Sequence, residues 1–171
     1  MKGTAHQKIL LCTILIASLG CQAQEVNMNT ISKNGMKVSW RHTQDRVFFE
    51  TSAPTDGWVT IGFNTHSGTK GAYLIMGNVV KGKVNIVEHY TLSHGNYKSV
   101  SALGASSQVK NIAGYQNTNT TILEFSLPIK PLSKYQKNLS KGKNYTIILA
   151  YSQEDDFLHH SIMRTSINVK L

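Results

Sequence analysis

The side chains able to do chemistry are few, and their spacing excludes most of what such groups build. His89 and His94 stand either side of Tyr90, with neither a cysteine nor a third ligand beside them to complete a tetrahedral zinc site. Glu154-Asp155-Asp156 offers the hard oxygens that calcium takes, but without the spacing of a calcium loop, and it reads as a solvated acidic turn. Glu88 and Glu124 are single carboxylates inside strand-like runs, and nothing pairs them for acid–base work. No serine stands in a nucleophile motif with a histidine and an aspartate. The chain reads as a binding protein and not an enzyme. The groups left over are His159-His160, just after the acidic turn, and Arg164 beyond them.

The elements that must position these groups are strands. Period-two alternation and short apolar runs dominate, and no stretch of helical period appears. Strands are predicted over 36–40, 46–51, 57–63, 72–80, 83–90, 120–127, 145–152 and 166–171. Val59, Ile61 and Phe63 share one face, as do Leu123, Phe125 and Leu127, and Ile167, Val169 and Leu171 alternate with polar neighbours. Lys81-Gly82 predicts a hairpin turn, and Pro128 and Pro131 end a strand before a lysine-rich connection. Short strands punctuated in this way predict an all-β, antiparallel sandwich over 26–171.

The N-terminus reads as an export signal. Lys2 and Lys8 precede the uncharged apolar run 9–20, which is shorter than the roughly 20 residues a spanning helix needs. Cleavage after Ala23 gives a signal peptide over 1–23. Alternatively, Ser18-Leu19-Gly20-Cys21 is an imperfect lipobox that would leave a lipid anchor on Cys21. The expected location is therefore periplasmic, outer-membrane lipoprotein or secreted. Cys12 and Cys21 are the two cysteines, so the domain itself has neither a disulfide nor a CxxCH haem-attachment motif. The formal charge of +9 stays strongly positive once Lys2 and Lys8 are removed. A mild cluster at Lys130, Lys134, Lys137, Lys141 and Lys143 suits an anionic partner such as a membrane surface, a polyanionic glycan or haem propionates, or else is a solvated loop. Nucleic acid is not expected, because no interleaved arginine/aromatic stripe is present.

Several segments, taken in order, resemble one family. Gly57-Trp58-Val59-Thr60-Ile61-Gly62-Phe63 is similar to the GWxxxGF strand of DOMON domains. Trp40 matches an early aromatic position, and Gly68-Thr69-Lys70-Gly71-Ala72-Tyr73 occupies the place of the family's G-M-x-G-A-D segment. The run 120–128 (TTILEFSLP) resembles its T-x-x-F-x-R-P strand. Ile148-Leu149-Ala150-Tyr151, an acidic loop and His159-His160 resemble its W-A-x-G…H end. The resemblance implies an immunoglobulin-like sandwich with a pocket at one side of the sheets. In the superfamily that pocket holds b-type haem, in redox or haem-handling roles with a redox partner, or a sugar.

In haem-binding members the resemblance implies two axial ligands: the methionine of the G-M-x-G-A-D segment and a histidine near the last strand. His160 takes the histidine's place, with His159 as the alternative. Adjacent strand residues face opposite sides, so only one of the two is expected in a given pocket. Arg164 resembles the basic residue after the ligand and would pair with a propionate. Thr69 stands where the methionine is expected, and a hydroxyl is a poor ligand for low-spin iron. His66, Lys70 and Met76 are the candidates to replace it. With His160 alone the iron would be five-coordinate, which suits sensing or haem capture better than electron transfer. The rival expectation is a carbohydrate-binding or cell-envelope interaction module without cofactor, with Tyr73, Tyr90, Tyr97 and Tyr115 as stacking candidates. A third is an envelope structural protein whose pocket has closed.

Overall fold

A computed structural model describes residues 27–171. The expected export signal and Cys21 lie outside the described residues. Eleven strands run in chain order: β1 (Asn29–Lys33), β2 (Met36–His42), β3 (Arg46–Ala53), β4 (Val59–Asn64), β5 (Tyr73–Val80), β6 (Lys83–Ser93), β7 (Asn96–Ser99), β8 (Lys110–Asn117), β9 (Thr120–Pro128), β10 (Asn144–Tyr151) and β11 (Met163–Lys170). A single 3-10 turn, Ser101–Leu103, interrupts them. All pairings are antiparallel, in a five-stranded sheet of order β1-β2-β3-β9-β8 and a six-stranded sheet of order β11-β10-β4-β5-β6-β7. The expected all-β sandwich is the fold observed.

The core forms because one side of each sheet is apolar at every second residue. Val47, Phe49, Leu123, Phe125 and Leu127 of the first sheet meet Val59, Ile61, Phe63, Ile75, Ile147 and Leu149 of the second. Phe49 sits at the centre, 5.5 Å from the ring of Phe63 across the sandwich and 5.5 Å from that of Phe125 beside it. Gly77 leaves room for this approach, because a Cβ there would lie 2.7 Å from Leu123 Cδ1. Lys81 and Gly82 both have positive φ (51° and 74°), forming the β5–β6 hairpin turn expected from the sequence.

Strands β1, β7 and β8 were not predicted. Each is an edge strand with largely exposed side chains, so backbone pairing defines it and no apolar alternation marks it. Glu88, only 1 % exposed, pins the long connections near one end of the sandwich. Its carboxylate accepts from the Gln108 N–H at 2.7 Å and from Gln136 Nε2 at 2.9 Å. Burial, then the neighbouring Glu88, hold the Tyr73 phenol well above its usual range. Glu88 is thus a structural acceptor.

Candidate functional site

The six-stranded sheet is unusual in being covered on both sides. All residues of β4, and all of β5 except Val80, are buried. Leu74 and Met76 of β5 and Ile148 and Ala150 of β10, with Trp58 and Ala72 just before β4 and β5, form a second apolar cluster on the outward side. Register builds this floor in rows. Ala150 pairs with Thr60 and Thr60 with Met76, while Ile148 pairs with Gly62 and Gly62 with Leu74. Gly62 lets the second row close, since a Cβ there would lie 2.6 Å from Leu74 Cδ2.

Above this floor is a pocket of about 300 Å³. Trp58, Thr60, Leu74, Met76, Ile148 and Ala150 make its base. Thr69 enters from the β4–β5 connection, Thr91, Gly95, Asn96 and Tyr97 from the β6–β7 hairpin, and residues Leu158, His159, His160 and Ser161 from the β10–β11 connection. Arg164 of β11 completes the rim. A shallower depression lined by Lys33, Gly68, Ser166 and others shares Thr69, Ile148 and Arg164 with it, extending the hollow towards the sheet edge. Neither that depression, of about 340 Å³, nor two further surface hollows among the described residues, of about 450 and 380 Å³, gathers histidines.

The β10–β11 connection is firmly held although its tip is exposed. The Trp58 N–H donates to the Glu154 carbonyl at 3.0 Å, and the Ser152 N–H to the Trp58 carbonyl at 3.1 Å. Asn78 Nδ2 donates to the Asp155 carbonyl at 2.6 Å, and Gln116 Nε2 to Asp155 Oδ1 at 3.2 Å. Gly57 permits this docking, because a Cβ would lie 2.5 Å from the Ser152 carbonyl oxygen. Under the rim, the His89 ring stands edge-on to Tyr97 at 5.3 Å and to Phe157 at 6.1 Å. The Tyr97 hydroxyl donates to the Phe157 carbonyl. Burial lowers the His89 pKa, its bond to the Val87 carbonyl opposing this more weakly, so a neutral ring fits the cluster.

Within the acidic turn, Asp156 is the residue whose carboxylate bonds its own loop. Asp156 Oδ1 accepts from the Leu158 N–H at 2.9 Å, and Oδ2 lies 3.4 Å from His159 Nδ1. Among the described residues no cluster of three or more His, Cys, Asp or Glu suits a metal ion.

The structure brings His159, His160, Thr69, Met76 and Arg164 together and leaves His66 and Lys70 out. Both of the latter are exposed. The His66 ring turns to the Ser67 carbonyl at 2.8 Å. Asn64 Nδ2 grips the carbonyls of Gly68 and Lys70, and the Ala72 N–H bonds the Thr69 carbonyl, a turn that presents Thr69 inward. The expectation that only one of His159 and His160 reaches the pocket is corrected. They lie outside any strand, so alternation does not separate them. Of the tyrosines, Tyr97 lines the pocket, whereas Tyr73 is in the core and Tyr115 is exposed on β8.

Four polar atoms here lack any partner: Trp58 Nε1 and the hydroxyls of Thr60, Thr69 and Thr91 are buried and unbonded. Buried polar groups are overwhelmingly paired, and four of the seven unpaired side-chain atoms among the described residues line this one hollow. No local pattern announced Thr60 or Thr91. The absence of any charged residue from β4 and β5 was the available signal for Thr60, because a strand buried on both faces has no solvated face to carry charge.

The family model of the DOMON domain matches residues 32–152, most of the chain. The chain belongs to the DOMON domain family. Two solved structures share the DOMON fold seen here. One is the cytochrome b domain of pyranose dehydrogenase from Coprinopsis cinerea, with TM-score 0.64 and 8 % identity, covering 85 % of this chain and 82 % of that one. The other is the cytochrome domain of Myriococcum thermophilum cellobiose dehydrogenase, with TM-score 0.60, 8 % identity and the same coverages of 85 % and 82 %. At such identity the likeness is one of fold.

Proposed function

We propose that this DOMON domain is a non-catalytic binding module, working outside the cytoplasm, that holds haem b in the pocket above the six-stranded sheet with the His160 imidazole as iron ligand. The observation that carries this reading is the joint placement of an exposed, unbonded imidazole, a guanidinium and a buried thioether around one apolar hollow. These residues fit the group. His160 offers an axial nitrogen, Arg164 a partner for a propionate, and Met76, 2 % exposed on the floor, a soft donor that Thr69 lacks. Trp58, Leu74 and Ile148 supply the dry surface that a flat apolar ring needs, and Tyr97 and Leu158 wall it from water. The bound group would supply a one-electron couple or an open coordination position. His159, tied to Asp156, holds the turn that presents His160.

The four orphaned polar atoms favour a second reading, a sugar or other polyhydroxylated ligand, whose hydroxyls would pair with them while its ring stacks on Trp58 or Tyr97. A visible-range haem titration of the purified protein, oxidised and reduced, beside His160→Ala separates the two. A saturable Soret shift that disappears in His160→Ala is the expected result. No shift in the wild type, with a sugar raising the melting temperature, would establish the second reading instead.

A further inference from the structure

The charges of the connections differ between the two ends of the sandwich. At one end, connections 43–45, 65–72, 94–95 and 129–143 contain a single carboxylate, Asp45, against Lys70 and five lysines of 129–143. At the other end, 54–58, 81–82 and 152–162 contain Asp56, Glu154, Asp155 and Asp156 against Lys81. Among the described residues no lysine has a carboxylate within 4.0 Å. The basic end is therefore uncompensated.

Connection 129–143 is long yet ordered, and long connections in compact domains are commonly functional. Leu139 is fully buried, its carbonyl accepting from His42 Nε2 at 2.8 Å, and Gln136 is held by Glu88. Lys134 lies over the Tyr135 ring at 5.2 Å and Lys137 near the Tyr90 ring at 6.0 Å, the two rings being 5.2 Å apart. Lys134 is exposed, whereas Lys137 is half-buried, and burial lowers its pKa. Between Lys130 and Lys134 in sequence, Leu132 is 71 % exposed. The polypeptide also enters the domain here. Asn29 of β1 pairs with Trp40, close to where β2 ends at His42 against this connection. From Cys21 to Asn29 an extended chain reaches at most about 30 Å.

We propose that this basic end docks on an anionic lipid membrane, with Lys130, Lys134, Lys141 and Lys143 among the headgroups and Leu132 dipping below them. The surface is independent of what fills the pocket. Charge complementarity, an exposed leucine among the lysines and the entry of the chain at the same end favour a lipid surface over a soluble polyanion. A lone acyl anchor holds weakly, and a basic patch is the kind of second signal that makes such attachment stable.

The test is sedimentation of the chain carrying Cys21→Ser, expressed with its leader and recovered after processing. The probes are vesicles of phosphatidylcholine with and without phosphatidylglycerol. Binding is expected to the anionic vesicles only, weakening with salt. Lys130→Gln/Lys134→Gln/Lys141→Gln lowers it on the order of 100-fold, and Leu132→Ser by about tenfold. Lys81→Gln/Lys83→Gln, at the opposite end, leaves it unchanged. Equal binding to both vesicle types, or an unaffected triple variant, would overturn the proposal. So would indifference to Leu132→Ser combined with displacement by a sulfated polysaccharide, which would assign the surface to glycans.

Discussion

The two sheets contribute inner faces of similar chemistry but outer faces that differ. In the five-stranded sheet β3 alternates buried and half-buried residues along its whole length, so its outer face meets water. In the six-stranded sheet β4 and β5 are buried on both sides, beneath the β4–β5 and β10–β11 connections and the β6–β7 hairpin. Among the described residues the inner face leaves Trp40 Nε1 and Thr51 Oγ1 unpaired, whereas the covered outer face closes incompletely and its gap is lined by four unpaired atoms, those of Trp58, Thr60, Thr69 and Thr91. A surface that is dry, apolar and short of hydrogen bonds is poorly explained by stability alone and well explained by binding.

The largest effect should come from breaking the inner contact. Phe63→Ala removes the ring that joins the sheets and should lower unfolding free energy by about 3–5 kcal/mol in urea titrations. Prying the cover off the outer face should cost less. Gly57→Val drives a side chain into the Ser152 carbonyl, so a loss of about 1–3 kcal/mol is expected, with faster proteolysis within 153–162 and loss of ligand. Equal protease resistance in the two proteins would show that the connection is held some other way.

A pair of matched substitutions sharpens the contrast in sign. The Thr121 hydroxyl, on the inner face, lies 3.0 Å from both the Thr55 and Gly57 carbonyls. Thr121→Val should destabilise by about 1 kcal/mol. The Thr60 hydroxyl has no partner, so Thr60→Val should stabilise the ligand-free protein by about 1 kcal/mol while weakening a hydrogen-bonding ligand. Destabilisation by both would mean that Thr60 is satisfied in solution.

The smallest effect is that of pH. His89 titrates below 6.5 when folded because burial disfavours its charge. Below 6.5 the unfolded chain takes up a proton that the folded one refuses. The contribution of His89 is therefore complete above that pH and is lost as pH falls towards the folded pKa. Relative to His89→Phe, the wild type should lose stability between about pH 7 and pH 5, measured by denaturant titration at each pH.

Much of the site was readable in the order of motifs. Gly57-Trp58 and His159-His160 were visible as strings, and both pairs contribute to the pocket or its docking. What could not be read was geometry. Thr69 was visible as a substitution, but its hydroxyl becomes an orphan only through the turn that Asn64 fastens. His66 and Lys70 are near Thr69 in sequence and outside the pocket in space, because the same turn points them to solvent.

The amino-acid sequence alone determined that this chain is an all-β sandwich with a histidine-bearing connection before its last strand. Residue period and turn chemistry are local properties, and they survive in the string of letters. Tertiary structure decided which face of which sheet is hollow, that both His159 and His160 reach it, and that β1, β7 and β8 complete the sheets. It also gathered the lysines of 129–143 at the end where the chain enters. Those outcomes depend on backbone pairing between residues far apart in sequence. Edge strands and loops obtain their structure from such partners, while their own side chains remain in water and carry no period.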